Sequence, residues 1–292
     1  MGGYHVPTPP YLYSDILANA GTMNNKGLEI SVSVIPVQTK DFRWITTANY
    51  STNKNKIVSL SDDRFKVESG YIDAGYIGTT IKQETHRLHE GGKAGNFWGF
   101  KVVDIDEEGK WIIEGKDGNP KPIGEQQPDD KTVIGNGLPK HFLSWDNSFV
   151  YKNFDLNITM RGTFGYDILN LPRLYYDCPV NLTHGNLLST AYDPVFGKRP
   201  LSDQQELQYV SHFIEKGDFW KIDNITLGYN FTFNNKYIKR LRLYASGSNL
   251  ITITGYSGID PEVNVSTLDP GVDAINRYPS TRSYTFGAMV TF

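Results

Sequence analysis

The sequence predicts an all-β chain, an antiparallel sheet of about seven long amphipathic strands joined by loops of very unequal length. Three observations predict it. First, long stretches keep a period of two. Residues 282–292, R-S-Y-T-F-G-A-M-V-T-F, put Tyr284, Phe286, Ala288, Val290 and Phe292 on one face. Thr285, Gly287, Met289 and Thr291 fall on the other, and successive side chains of a strand point to opposite sides. Second, aromatic residues make up 13% of the chain, with 18 Tyr and 15 Phe, and they gather on the apolar faces. Third, short and long connections alternate along the chain. Two environments produce such strands: a soluble sandwich with a covered core, or a transmembrane β-barrel, apolar towards lipid and polar towards a lumen.

Composition narrows the function classes. The chain has 292 residues, 39% hydrophobic and 21% charged, with a net charge of −3. That balance gives no electrostatic footprint for nucleic acid. No run of about 18 apolar residues is present, which excludes a transmembrane helix and leaves a barrel open. Cys178 is the one cysteine, so no internal disulfide can form. The start, M-G-G-Y-H-V-P-T-P-P, lacks the charged and apolar regions of a secretory signal, so a barrel reading implies a piece of a longer chain.

In chain order, residues 1–25 read as loop, broken by Pro7, Pro9 and Pro10. A strand over 27–36 turns Leu28, Ile30, Val32 and Val34 one way, with Glu29, Ser31 and Ser33 opposite. A second over 42–55 aligns Phe42, Trp44, Thr46, Ala48 and Tyr50 and then becomes polar. Residues 57–138 form a long irregular stretch holding a hairpin of 101–105 and 110–114 about a turn at Asp106–Gly109. A strand over 140–150 alternates His141, Leu143, Trp145, Asn147 and Phe149, and a tight turn at 151–153 follows. The strand over 154–166 sets Phe154, Leu156, Ile158, Met160 and Phe164 against Asp155, Asn157, Thr159, Arg161 and Thr163. Residues 170–216 are a proline-bearing loop, with 201–213 read as a short helix capped by Ser202. The strand over 218–233 sends Ile225, Leu227, Tyr229, Phe231 and Phe233 outward, and Asn234-Asn235 makes a turn. The strand over 239–253 opposes Leu241, Leu243 and Ala245 to Arg242, Tyr244 and Ser246; a loop over 255–280 precedes the last strand.

The short connections lie near 37–41, 151–153 and 234–237, and the long ones near 57–138, 170–216 and 255–280. Outer-membrane barrels have this asymmetry, with short periplasmic turns and long extracellular loops. About seven strands would leave two unpaired edges, which hydrocarbon does not tolerate, so the chain reads as part of a larger barrel.

Several segments, in order, resemble one family: N-A-G-T-M-N-N-K-G-L-E-I (19–30), E-G-G-K-A-G-N-F-W-G-F (90–100), I-G-N-G-L-P-K (134–140), Y-K-N-F-D-L-N-I-T-M-R-G-T-F-G (151–165), F-W-K-I-D-N-I-T-L-G-Y-N-F (219–231), L-R-L-Y-A-S-G-S-N-L (241–250), G-Y-S-G-I-D-P-E-V (255–263) and Y-P-S-T-R-S-Y-T-F-G (278–287). Together they resemble the C-terminal third of SusC/RagA-type TonB-linked outer-membrane proteins of Bacteroidetes. The resemblance implies a segment of a 22-stranded barrel with an N-terminal plug absent from this chain. It also implies import energised by TonB, a SusD-like surface lipoprotein as partner, and a glycan or sometimes a peptide as cargo. No cofactor is expected. A carbohydrate-binding β-sandwich is the alternative from another class.

No Ser/His/Asp, paired-acid or Cys/His arrangement supports an enzyme. His86 and His89 lie close together without a helix to align them, and D-G-N-P-K-P-I-G-E-Q-Q-P-D-D lacks the spacing of an EF-hand, so no metal site is assigned. G-G-K-A-G does not open a helix and reads as a tight turn rather than a phosphate loop. Sugars are held by aromatic faces and planar polar groups. On that ground Trp98, Trp111, Tyr175, Tyr176 and Trp220 are candidate platforms, and Asp155, Asn157 and Arg161 the candidate polar row.

Overall fold

In the computed structural model, residues 2–5, 9, 12–13, 15–78, 80–234, 237–265 and 268–292 are described. Seven strands form one continuous sheet: β1 (Thr22–Gln38), β2 (Phe42–Ser59), β3 (His141–Tyr151), β4 (Phe154–Phe164), β5 (Phe219–Thr232), β6 (Arg240–Thr254) and β7 (Ser283–Thr291). Each pairs antiparallel with its neighbour in sequence, giving the order β7-β6-β5-β4-β3-β2-β1. All seven expected strands are present, with ends shifted by a few residues. β4 stops at Phe164 because Gly165 adopts φ +78°, so Tyr166 leaves the strand. β1 begins earlier than expected, at Thr22, and carries Pro36 through an irregularity between Val34 and Val37. Proline is tolerated there because β1 is an edge strand.

The register makes the two faces uniform across the sheet. Trp44, Phe149, Leu156, Leu227, Ala245 and Phe286 stand directly opposite one another on successive strands. One residue further along, Ile45, Ser148, Asn157, Thr226, Ser246 and Thr285 do the same on the other face. An apolar face and a polar face therefore extend without interruption from β2 to β7.

The long connections depart furthest from expectation. Residues 57–138 are ordered structure: a four-stranded sheet (Tyr71–Tyr76, Glu84–His89, Asn96–Gly99, Thr132–Asn136) and a three-stranded one (Val102–Ile105, Trp111–Glu114, Pro120–Pro122). The second contains the expected hairpin. A further small sheet joins Asp167–Asn170, Ile214–Lys216 and Val272–Asp273. These pieces share one core of Phe97, Phe100, Trp111, Ile113, Leu169, Leu174, Tyr209, Val210 and Phe213. The connections thus fold into a cap over one end of the sheet. The extended tip of β2 ties the cap to the wall: Ile57 N–H donates to Gly92 O and Gly91 N–H to Ile57 O, both at 2.9 Å, and Asn55 Oδ1 accepts from Ala94 N–H at 2.7 Å. The turn at G-G-K-A-G makes these contacts.

Three expectations are corrected. Residues 201–213 do not form a helix. Gln205 instead turns inward, its Oε1 accepting from Trp111 N–H at 3.0 Å, and Tyr209 and Val210 are drawn into the cap core; only Ser211–Phe213 makes a 3-10 turn. The α-helix of this region is Leu171–Tyr176, with Asn170 Oδ1 accepting from Arg173 N–H at the N-cap. Within the expected N-terminal loop, Gly2–His5 pairs antiparallel with Asp15–Ala18. The turn expected at Asn234-Asn235 falls partly outside the described residues.

Candidate functional site

The apolar face of the wall has an ordered composition along the strands. Near the short turns it carries Phe42, Tyr151, Phe154 and Tyr229, mutually opposite, with Phe154 and Tyr229 rings 4.6 Å apart. Near the cap it carries Tyr50, His141, Phe164 and Trp220, the last two rings stacked at 6.5 Å. Between these bands lie Val32, Val34, Ala48, Ile158, Met160, Ile222, Ile225 and Ile251. Polar atoms on this face are satisfied across strands. Trp44 Nε1 donates to Asn147 Oδ1 at 3.0 Å, and Trp145 Nε1 to Thr46 Oγ1 at 2.8 Å. Among the described residues no second sheet covers this face: Tyr284 is 68% and Phe286 82% exposed.

The polar face is cross-linked by hydroxyls and amides. Ser31 Oγ donates to Asn49 Oδ1 at 2.6 Å, and Asn49 Nδ2 to Ser144 Oγ at 2.8 Å. Asn224 Nδ2 donates to Ser246 and Ser248 on β6. Near the cap the face becomes charged. Arg161 of β4 pairs with Asp223 of β5 and with Glu262, and Glu262 also receives Lys221 Nζ. Glu262 belongs to segment 256–265, which folds back over this face. A cleft of about 660 Å³ lies beneath it, lined among others by Ser31, Asn49, Ser144, Thr163, Phe219 and Val263.

The candidate residues scatter. Asp155, Asn157 and Arg161 share the polar face, as alternation requires, but at different heights: Asp155 is paired with Arg242 near the short turns and Arg161 sits at the cap end. Trp111 is 1% exposed in the cap core and offers no face to a ligand. Trp220 lies on the apolar face, opposite Gly162 and Ile253. Plain alternation along β5 would have turned it to the polar side. Asp223 is an extra residue in a β-bulge between Ile222 and Asn224, and one extra residue exchanges the faces of all positions before it. Trp98 is half-buried beside the Arg87 guanidinium, 5.0 Å from its ring. Tyr175 and Tyr176 end the short helix, and Tyr175 Oη approaches Ile77 O at 3.5 Å. Sequence reasoning missed Lys221, Asp223 and Glu262. Lys221 was legible once the bulge is known; Glu262 lay in an unpatterned loop.

His86 and His89 lie three apart on one strand and so face opposite sides. His86 is buried against Phe97; its Nε2 donates to Pro270 O at 2.9 Å while Nδ1 accepts from Thr85 Oγ1 at 2.7 Å. Burial pushes its pKa down to about 4, and burial with the nearby Arg173 guanidinium does the same to His212. Both imidazoles are neutral in the fold, whereas the unfolded chain takes up protons below about pH 6.5. The histidine contribution to cap stability should therefore be lost as pH drops from about 6.5 to about 4, by up to about 3 kcal/mol per histidine. Hydrogen exchange of residues 84–100 at pH 7 and 4.5 checks this; equal protection would contradict it. Cys178, buried with its thiol pushed up to about 12 by desolvation, should resist thiol reagents until the cap opens.

No family model matches the chain. It is similar over 98% of its length, at 30% identity, to TonB-dependent receptor P3 of Formosa agariphila. It is 30% identical over its whole length to TonB-dependent receptor SusC of Bacteroides thetaiotaomicron. The chain spans 30% and 29% of the length of these two relatives. The RagAB peptide transporter shares the fold, with a TM-score of 0.75 at 21% identity, over 99% of this chain and 31% of that one.

Proposed function

We propose, on the premise that the chain belongs to the SusC/RagA-type TonB-dependent receptors, that it forms part of the barrel wall and external cap of an outer-membrane nutrient importer. The observation that carries this reading is the uncovered apolar face with its two aromatic bands. Phe154 and Phe164 stand at the two ends of β4, ten residues apart. At about 3.3 Å per residue they are about 33 Å apart along the strand. At the usual tilt of about 40° this projects to about 25 Å, the height of an outer-membrane apolar band. Among the described residues no helix is long and apolar enough to cross a membrane. Strands are the elements that would cross, with the polar face towards a lumen and the cap outside.

In this reading the protein is a transporter component and not an enzyme. Its cargo is a glycan or a peptide, its energy reaches it through TonB, and a SusD-like lipoprotein covers the external side. Family membership supports these assignments. Strands from elsewhere in the receptor would pair with the edges β1 and β7. The β-sandwich alternative needs a second sheet over Tyr284, Phe286, Val290 and Phe292, and their exposure argues against it.

Tryptophan quenching tests the reading. In vesicles containing brominated lipid, a variant keeping only Trp145, on the apolar face between the bands, should be strongly quenched. One keeping only Trp111 should not. Equal quenching of the two, or none of either, would refute the membrane-facing assignment.

A further inference from the structure

Segment 256–265 lies against the polar face without joining its sheet. Its apolar hold is small: Tyr256 and Val263 pack on Tyr166, Ile168 and Phe219. Tyr166 Oη donates to Pro261 O at 2.8 Å. Its two ends are fastened to the cap: Ser257 N–H and Oγ donate to the Glu215 carboxylate at 2.9 and 2.8 Å, Tyr256 Oη donates to Asp273 Oδ2 at 2.7 Å, and Asn264 O accepts from Gly271 N–H at 2.9 Å. Between those ends the attachment to the wall is ionic. Glu262 accepts from Arg161 on β4 and from Lys221 on β5, and the Lys221 side chain is 2% exposed beneath it. The segment is shaped internally by Asp260, whose Oδ1 accepts from Glu262 N–H at 2.9 Å, and is held from the following loop by Arg277, which donates to Asp260 O at 3.1 Å and to Glu262 O.

We propose that this segment is a releasable strap, tethered at its ends to the cap and bolted at its middle to the wall by Glu262, and that withdrawing Glu262 lifts residues 258–263 away from the 660 Å³ cleft beneath. The wall is built to survive the release. Arg161 keeps Asp223 as a partner, because the β5 bulge turns that carboxylate towards it. Lys221 loses its ion pair with Glu262, and the space it lines together with Ile259, Asp260 and Pro261 of the strap opens to water. While the strap is down, Arg161 and Lys221 each face a carboxylate partner. The middle of the segment, held by side-chain pairs with few ladder hydrogen bonds, belongs to the low-stability end of a fold, where moving parts are found.

The proposal uses the lumen reading only to say where the cleft would open; the clamp itself is read independently of the membrane. The test is hydrogen exchange of the full chain in detergent. In Glu262→Gln the amides of 258–263 should exchange about tenfold faster, with β4, β5 and the cap core unchanged. Tyr166→Phe, which removes a strap contact but no charge, should have a smaller effect. In the unaltered chain, going from low salt to about 1 M, where the Debye length is about 3 Å, should accelerate the strap alone. Unchanged strap exchange in Glu262→Gln overturns the proposal. So does acceleration spreading through β4 and β5, an equal effect of Tyr166→Phe, or salt independence in the unaltered chain. If Glu262→Gln does not fold, the salt experiment decides.

Discussion

Replacing Trp111 by alanine should unfold the cap and leave the wall assembled. Trp111 is almost fully buried, meets Phe213 edge-on at 6.1 Å and His212 at 5.0 Å, and its backbone N–H is bound by Gln205. It links the three-stranded sheet of the first long connection to the 201–213 segment of the second, so its removal opens a cavity where two connections meet. Truncating a buried tryptophan costs about 3–5 kcal/mol, a large share of the ordinary 5–15 kcal/mol of a domain. The loss should stay local, because the cap core contains no buried residue from β1 to β7. Limited proteolysis reads both halves of the expectation: new cuts within 60–135 and 171–213, and intact β3–β4 and β5–β6 hairpins. Cuts throughout the wall would show that cap and wall fold as one unit.

A second substitution probes the seam, within the cap, between the first long connection and the 255–280 connection. Gly137 N–H donates to Gly95 O, and a Cβ at Gly137 would stand 2.0 Å from Pro270 O. Gly137→Ala must push these two segments apart and should loosen His86, which is bonded to the same Pro270 carbonyl. Faster exchange at 84–89 and 268–273 would show it.

The wall was legible because its physics is local. Alternation in a single strand decides which side chains meet the same surroundings, so 154–164 could be read residue by residue. Trp220 could not be placed, because the bulge at Asp223 depends on how β5 registers against β4 and β6, a non-local fact. The cap was hidden for the same reason. Phe97, Trp111, Leu174 and Phe213 come from distant stretches, each too short to show a period, and only their assembly makes a core. The prolines and glycines around them signalled breaks correctly but not what the pieces between would build. At Ser202, the cap signal for a helix was overridden when Gln205, Tyr209 and Val210 found partners in the core. Of the polar candidates, Arg161 alone lies where charges converge, and its partners Asp223 and Glu262 come from a bulge and a loop.

The sharpest test of the wall compares two adjacent residues. Ile158 and Thr159 are neighbours at mid-height on β4, on opposite faces: Ile158 stands beside Asn147 and Ile225, and Thr159 beside Asp146 and Asn224. If the apolar face meets acyl chains, Ile158→Arg places a cation near the bilayer midplane and should cost about 2–4 kcal/mol. Thr159→Arg puts the same side chain among water and polar groups, opposite the Asp146 carboxylate, and should change stability by less than about 1 kcal/mol. The strand and the introduced side chain are the same in both and Thr159→Arg adds the more volume, so a larger cost at Ile158 reports the environment. Denaturant titration in lipid vesicles measures it, and detergent micelles, whose acyl layer deforms more easily, should shrink the gap. In a sandwich both faces of β4 would meet protein or water, and the two costs would depend on packing alone. An Ile158→Arg variant as stable in vesicles as Thr159→Arg would mean that the face carrying Ile158 does not lie in lipid, whatever its composition.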